Sequence, residues 1–66
     1  MPLDELDKAR LTKELYDKGK YLAEGLVGII VYCHRDLAYE VEFPDLHDFF
    51  QIPSEYLEKA DSTGQL

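Results

Sequence analysis

The chain has 66 residues, a net charge of −7 and an apolar content of 45%, which indicates one small domain (residues 1–66) and excludes a wholly disordered chain. A single cysteine, Cys33, excludes an internal disulfide, and one cysteine with two histidines is too few for a structural zinc site. Because the first residues lack the pattern of a signal peptide and no run approaches the roughly 18 apolar residues that span a bilayer, we expect a cytoplasmic protein that does not bind membranes.

The acidic excess lies entirely in the second half of the chain. Residues 1–35 carry six acids and six bases, whereas residues 36–66 carry eight acids and one base. Such a field repels nucleic acid and anionic membranes and attracts basic surfaces. We therefore expect either an acidic interaction surface or a charge that serves solubility alone.

The first predicted element is a strand from about Asp7 to Thr12, where apolar Ala9 and Leu11 alternate with polar residues. A short helix over residues 3–16 is the alternative, although its apolar residues would surround the whole helical wheel. The charged stretch that follows, residues 13–24, is predicted to be an exposed loop.

A second strand is predicted from Gly25 to Cys33, because β-branched and aromatic residues dominate this run. Within it, Gly28 indicates a bulge or a close backbone crossing. Residues 34–36 are polar and lie between two apolar runs, which is typical of a hairpin turn.

The clearest predicted strand covers residues 37–43. Alternation separates a core-facing set from a solvent-facing set, namely Tyr39, Val41 and Phe43 against Ala38, Glu40 and Glu42. Pro44-Asp45 ends this strand in a turn.

Three short elements complete the prediction: a strand at 49–52 with Phe50 and Ile52 inward, a 3₁₀ turn at 53–56, and a last strand at 57–60. Several short strands joined by polar turns favour a small barrel, in which closure removes exposed edges. The predicted fold class is all-β, a five-stranded SH3-like barrel with a short 3₁₀ turn before the last strand. Its core would span about residues 6–60, with a polar, flexible tail at 61–66.

Four motifs occur in order along the chain: Leu11-Thr12 at the end of an early strand, Gly25-Leu26-Val27-Gly28 before a Val/Ile-rich strand, Ala38-Tyr39-Glu40-Val41-Glu42-Phe43, and Ile52-Pro53 followed by Leu57. With these motifs the chain resembles a family of small bacterial proteins catalogued as domain of unknown function 4926. The resemblance covers about residues 6–60 and implies an SH3-like barrel, similar to those of nitrile hydratase β-subunits and translation-type modules. Leu26 departs from the family, which usually has a charged residue there, and would add an apolar side chain near the barrel mouth.

Catalytic and metal chemistry is weakly indicated. Adjacent strand residues point to opposite faces, so Cys33 and His34 would not meet as a catalytic pair. The acidic turn around His47 has too few ligands for a metal, and the two glycines before the second strand lack the Lys-Ser/Thr of a phosphate loop. Glu40 and Glu42 share the solvent-facing side of their strand, so they are predicted to belong to the acidic surface rather than to act as paired catalytic carboxylates. We therefore predict no catalytic residues, no metal and no cofactor.

The predicted function is non-catalytic protein binding. Some members of the resembled family lie near toxin–antitoxin or toxin–immunity genes, which implies a bacterial antitoxin or immunity-type inhibitor that presents acids to a basic partner. The predicted partner-binding residues are Glu40, Glu42, Asp45, Asp48, Glu55, Tyr56 and Glu58, with Tyr56 between acids as the preferred centre.

Two other functions stay open. In a small accessory subunit of an enzyme complex, Leu26, Ile29 and Val31 would be exposed to make an apolar interface. Nucleic-acid binding would need a basic edge from Lys8, Arg10, Lys13, Lys18 and Lys20, and the net charge argues against it. Homo-oligomers are compatible with all three functions.

Overall fold

A computed structural model describes residues 3–35 and 37–60. In chain order, the elements are the strands β1 (Lys8–Leu11), β2 (Leu15–Asp17), β3 (Lys20–Leu22), β4 (Val27–His34) and β5 (Ala38–Phe43), the 3₁₀ turn η1 (Pro44–Leu46), the strand β6 (Asp48–Pro53), the 3₁₀ turn η2 (Ser54–Tyr56) and the strand β7 (Leu57–Lys59). The all-β prediction is confirmed, and residues 8–11 form the predicted strand rather than a helix. The predicted tail, 61–66, and Asp36 of the predicted turn lie outside the described residues.

Five of the strands form one antiparallel sheet in the order β6-β5-β4-β1-β7. The long strand β4 joins its two parts: residues 27–29 pair with β1, and residues 29–34 pair with β5. All five predicted strands belong to this sheet. In the part of the chain that the structure describes, no pairing joins the end strands β6 and β7, so the sheet is not closed and the barrel stays a prediction.

The core follows the predicted alternation. Tyr39, Val41 and Phe43 of β5 are buried, as are Phe50 and Ile52 of β6. The two strands pair Val41 with Phe50 and Tyr39 with Ile52, so these four buried residues meet across the ladder. Phe43 lies opposite Asp48, and its ring packs against Phe50 with the centroids 5.9 Å apart. The opposite faces of β5 and β6 are left for solvent or a partner.

Gly28 lies where β4 crosses closely over β5. An added Cβ would lie 2.6 Å from the backbone oxygen of Glu42 and 2.6 Å from Cγ1 of Val41. The predicted close crossing is therefore confirmed. The bulge lies elsewhere: the β4–β5 register shifts between Ile30 and Tyr32.

The predicted exposed loop at 13–24 is wrong. Residues 15–17 and 20–22 pair as the two-stranded hairpin β2–β3, and Leu22 is completely buried in the core. Lys18 and Gly19 at its tip both have positive φ, 53° and 75°, as a two-residue hairpin turn requires. Because most residues of this stretch are charged or polar, the sequence pattern did not indicate that Leu22 is buried.

The remaining predicted turns are confirmed within the described residues. After β4, Arg35 adopts a φ of 54° and the N–H of Leu37 donates to the carbonyl of His34 at 2.9 Å. The 3₁₀ turn η2 precedes β7, and β7 pairs with β1 so that Leu57 lies opposite Leu11. The end of the described chain is thereby attached to its first strand.

Candidate binding site

The outward faces of β4, β5 and β6 form one continuous surface, called the outer face below. Residues that oppose each other in antiparallel strands share a face. Three cross-strand rows follow, namely Ile29–Glu42–Phe49, Tyr32–Glu40–Gln51 and His34–Ala38–Pro53. Two carboxylates thus occupy the central strand, and mainly apolar or aromatic side chains flank them.

The carboxylates of the two outer-face glutamates have no partner in the part of the chain that the structure describes. Within residues 3–35 and 37–60, the side chains of Glu40 and Glu42 make no hydrogen bond and no ion pair. Phe49 beside Glu42 is 52% exposed, and Tyr32 beside Glu40 is 50% exposed. A surface with large exposed rings next to unpaired charges is typical of interaction sites.

A groove of about 540 Å³ lies between the hairpin tip and the edge of the outer face. Asp17 and Lys18 of the tip form one wall, and residues of β5 and β6 form the floor. Leu37 also lines the groove and is 74% exposed, although it is apolar. The volume falls within the range of ordinary ligand sites.

Lys18 attaches the hairpin tip to β6. Its Nζ donates to the carbonyl oxygen of Phe49 at 2.7 Å and lies 3.4 Å from Oδ1 of Asp48. The same ammonium is 4.5 Å from the ring centroid of Phe50, a cation–π distance. These contacts fix the groove wall in place.

Asp48 is held in its ionised form. Its Oδ1 accepts the N–H of Phe49 at 2.8 Å, and this hydrogen bond, followed by the one from Lys18, lowers the pKa of Asp48 below its ordinary value. A carboxylate that is ionised over the whole physiological range therefore neutralises Lys18.

The seven predicted binding residues fall into separate regions. Glu40 and Glu42 lie together on the outer face, and Asp45 is exposed in η1. At the other end of the sheet order, Glu58 of β7 forms an ion pair with Arg10 at 2.9 Å. Glu55 lies in η2 next to the preferred centre, Tyr56.

Tyr56 differs from the predicted acidic, aromatic contact. Its ring is half-buried and packs against the core. The ammonium of Lys13 lies 5.0 Å from the ring centroid. A cation from the chain itself therefore covers this ring. The exposed rings beside acids on the outer face are Tyr32 and Phe49, and the ammonium of Lys18 lies 5.9 Å from the Phe49 centroid.

Sequence reasoning missed the groove because two distant segments form it. The signal that could have found it is the hairpin itself: residues 15–17 and 20–22 each place a tyrosine between an apolar and a charged residue, around the two-residue turn Lys18-Gly19. Tyr16 and Tyr21 are indeed cross-strand partners, with ring centroids 5.2 Å apart.

Models of known protein families, curated proteins and solved structures yield no match to this chain. The resemblance to domain of unknown function 4926 stays a prediction. Within residues 3–35 and 37–60, no helix is long and apolar enough to cross a membrane. The same residues contain no group of three or more His, Cys, Asp or Glu side chains placed to hold a metal ion.

Proposed function

We propose that this protein is a non-catalytic binding module whose outer face binds a basic surface of another protein. The observation that carries the proposal is the pair of unpartnered carboxylates, Glu40 and Glu42, set among exposed apolar side chains. Residues two apart on a strand are about 7 Å apart, so the pair can meet two cations of a partner. Steering by these charges makes association fast and salt-sensitive.

An SH3-like barrel from a bacterial cytoplasm is part of this proposal. The bend of β4 between two parts of the sheet, the 3₁₀ turn before β7 and the return of β7 to β1 support that architecture. The resemblance described above supports the role of an antitoxin or immunity-type inhibitor, which neutralises its partner by binding.

The accessory-subunit alternative has one observation in its favour. Val27 and Val31 of β4 are exposed apolar residues, as an obligate interface would require. Leu26 packs against the core and is half-buried, like Ile29. The apolar area offered there is therefore smaller than this function predicts.

Nucleic-acid binding has less support. Of the five cations that would make the basic edge, Arg10 binds Glu58, Lys13 covers Tyr56 and Lys18 binds Asp48. Phosphate contacts would have to compete with these internal partners.

The test compares two variants of equal net charge in affinity purification from the native host at low and high salt. Glu40→Gln/Glu42→Gln removes the outer-face pair, and Glu5→Gln/Glu24→Gln removes two exposed acids elsewhere. We expect a partner that high salt releases, that the second variant retains and that the first variant loses. A partner that both variants retain equally at high salt would contradict the proposal and favour the accessory subunit.

A further inference from the structure

Building on the proposed function, we infer that the groove between the β2–β3 tip and the outer face is a binding site for a single arginine side chain of the partner protein. The site is defined by Asp17 of the tip, Glu40 of β5, and the apolar surface of Leu37, Phe49 and Pro53.

The charge balance of the groove favours a cation. Asp17 and Glu40 both line it, and among the described residues the side chain of neither makes a hydrogen bond or an ion pair. The one basic group in the lining, Lys18, is neutralised by its contact with Asp48. Two carboxylates of the lining thus have no ion-pair partner within the described residues, and the nearest cation by register is Lys20, which lies opposite Asp17 in the hairpin.

The apolar part of the groove fits the stem of a long basic side chain. Leu37 is 74% exposed and Phe49 52% exposed, so contact with methylene groups would remove apolar surface from water. An arginine buries its stem while its head stays with carboxylates. A small inorganic cation would leave this apolar surface uncovered.

Arginine fits better than lysine for two reasons. Its planar, weakly hydrated guanidinium stacks on an aromatic ring such as Phe49 and forms directed hydrogen bonds with carboxylates. The open backbone edge of β6 next to it adds acceptor groups that can take the remaining N–H donors.

The test is a titration of the isotope-labelled protein, followed by backbone amide chemical shifts, with capped tripeptides in which glycine flanks arginine, lysine or citrulline. Citrulline has nearly the shape of arginine without its charge. We expect the arginine peptide to shift amides of residues 37–40 and 49–51, the lysine peptide to bind more weakly, and the citrulline peptide to shift none of them. Equal shifts from arginine and citrulline would overturn the inference.

Matched variants locate the site. Asp17→Asn or Glu40→Gln should each weaken arginine binding by about two- to fivefold, the range of a half-exposed ion pair. Glu5→Gln, which removes the same charge at an exposed position outside both the groove and the outer face, should leave it unchanged. If all three variants weaken binding equally, the general field attracts the probe and the groove assignment is wrong.

A longer probe separates this inference from the proposed function. In one outcome, an octa-arginine peptide binds in a salt-sensitive way and Glu42→Gln weakens its binding, whereas the arginine tripeptide shifts no amide of the groove. This outcome would support the proposed function and overturn the arginine site. If octa-arginine shifts no outer-face amide even at low salt, the proposed function itself fails.

Discussion

Replacement of Gly28 by alanine tests how closely β4 crosses β5. The new Cβ would lie 2.6 Å from the backbone oxygen of Glu42, 2.6 Å from Cγ1 of Val41 and 2.8 Å from Cδ1 of Phe43. Valine and phenylalanine side chains can shift slightly, but the Glu42 oxygen moves only if the strand moves. We therefore take the upper end of the usual cost of overpacking, about 3 kcal/mol.

One further effect sets the net loss of unfolding free energy. Alanine recovers about 0.5–1 kcal/mol relative to glycine in a strand interior, so Gly28→Ala should lose about 2 kcal/mol of unfolding free energy. A chain of this size has about 3–10 kcal/mol in total. At about 4–8 °C per kcal/mol for a small domain, the melting temperature should fall by about 8–16 °C.

Urea denaturation and thermal melting followed by circular dichroism measure this loss. Gly25→Ala is the control, because Gly25 has a φ of 90° with nothing within 4 Å of an added Cβ; its cost of about 1–2 kcal/mol is purely conformational. The Val41→Ala change should relieve the Gly28→Ala clash only in part, since the Glu42 oxygen stays. A loss below about 0.5 kcal/mol for Gly28→Ala would refute the close crossing.

Two other predictions concern the hairpin. Leu22→Ala should destabilise the protein by about 2–5 kcal/mol, because Leu22 is fully buried; urea denaturation would show a loss near zero if the segment were an exposed loop. Asp48 has a folded-state pKa below its unfolded value, so its contribution is present above the unfolded pKa and disappears as pH falls through the folded pKa. As pH falls from about 5 to about 2, the melting temperature of Asp48→Asn should therefore fall less than that of the unmodified protein. Identical pH profiles of the two proteins would contradict this.

Local sequence patterns predicted the sheet well because its strands are short and bury side chains mainly on one face. Alternation identified the buried face of β5, and the same pattern identified Phe50 and Ile52, since a one-residue slip would expose the whole set. The hairpin was missed because it buries mainly Leu22, and its charged residues are typical of loops. Which strands pair depends on contacts distant in sequence, and the pattern of any one segment does not contain that information.

The candidate site was predicted in part for the same reason. Glu40 and Glu42 belong to a single strand, so their shared face follows from alternation. The groove combines Lys18 with Phe49, which are 31 positions apart, and no local spacing indicates that contact. The prediction for Tyr56 was misled by its acidic neighbours in sequence, whereas the charge that lies over its ring comes from Lys13.

The contacts of Lys18 and Asp48 also determine whether another chain can add a strand next to β6. They occupy the C=O and the N–H of Phe49, and antiparallel geometry then turns the backbone of every second residue, Gln51 and Pro53, toward the same open edge. Proline has no N–H, so in the described part of β6 only Gln51 retains a backbone donor there. A growing cross-β stack needs a regular series of donors and acceptors, and this edge interrupts that series on both sides of Gln51.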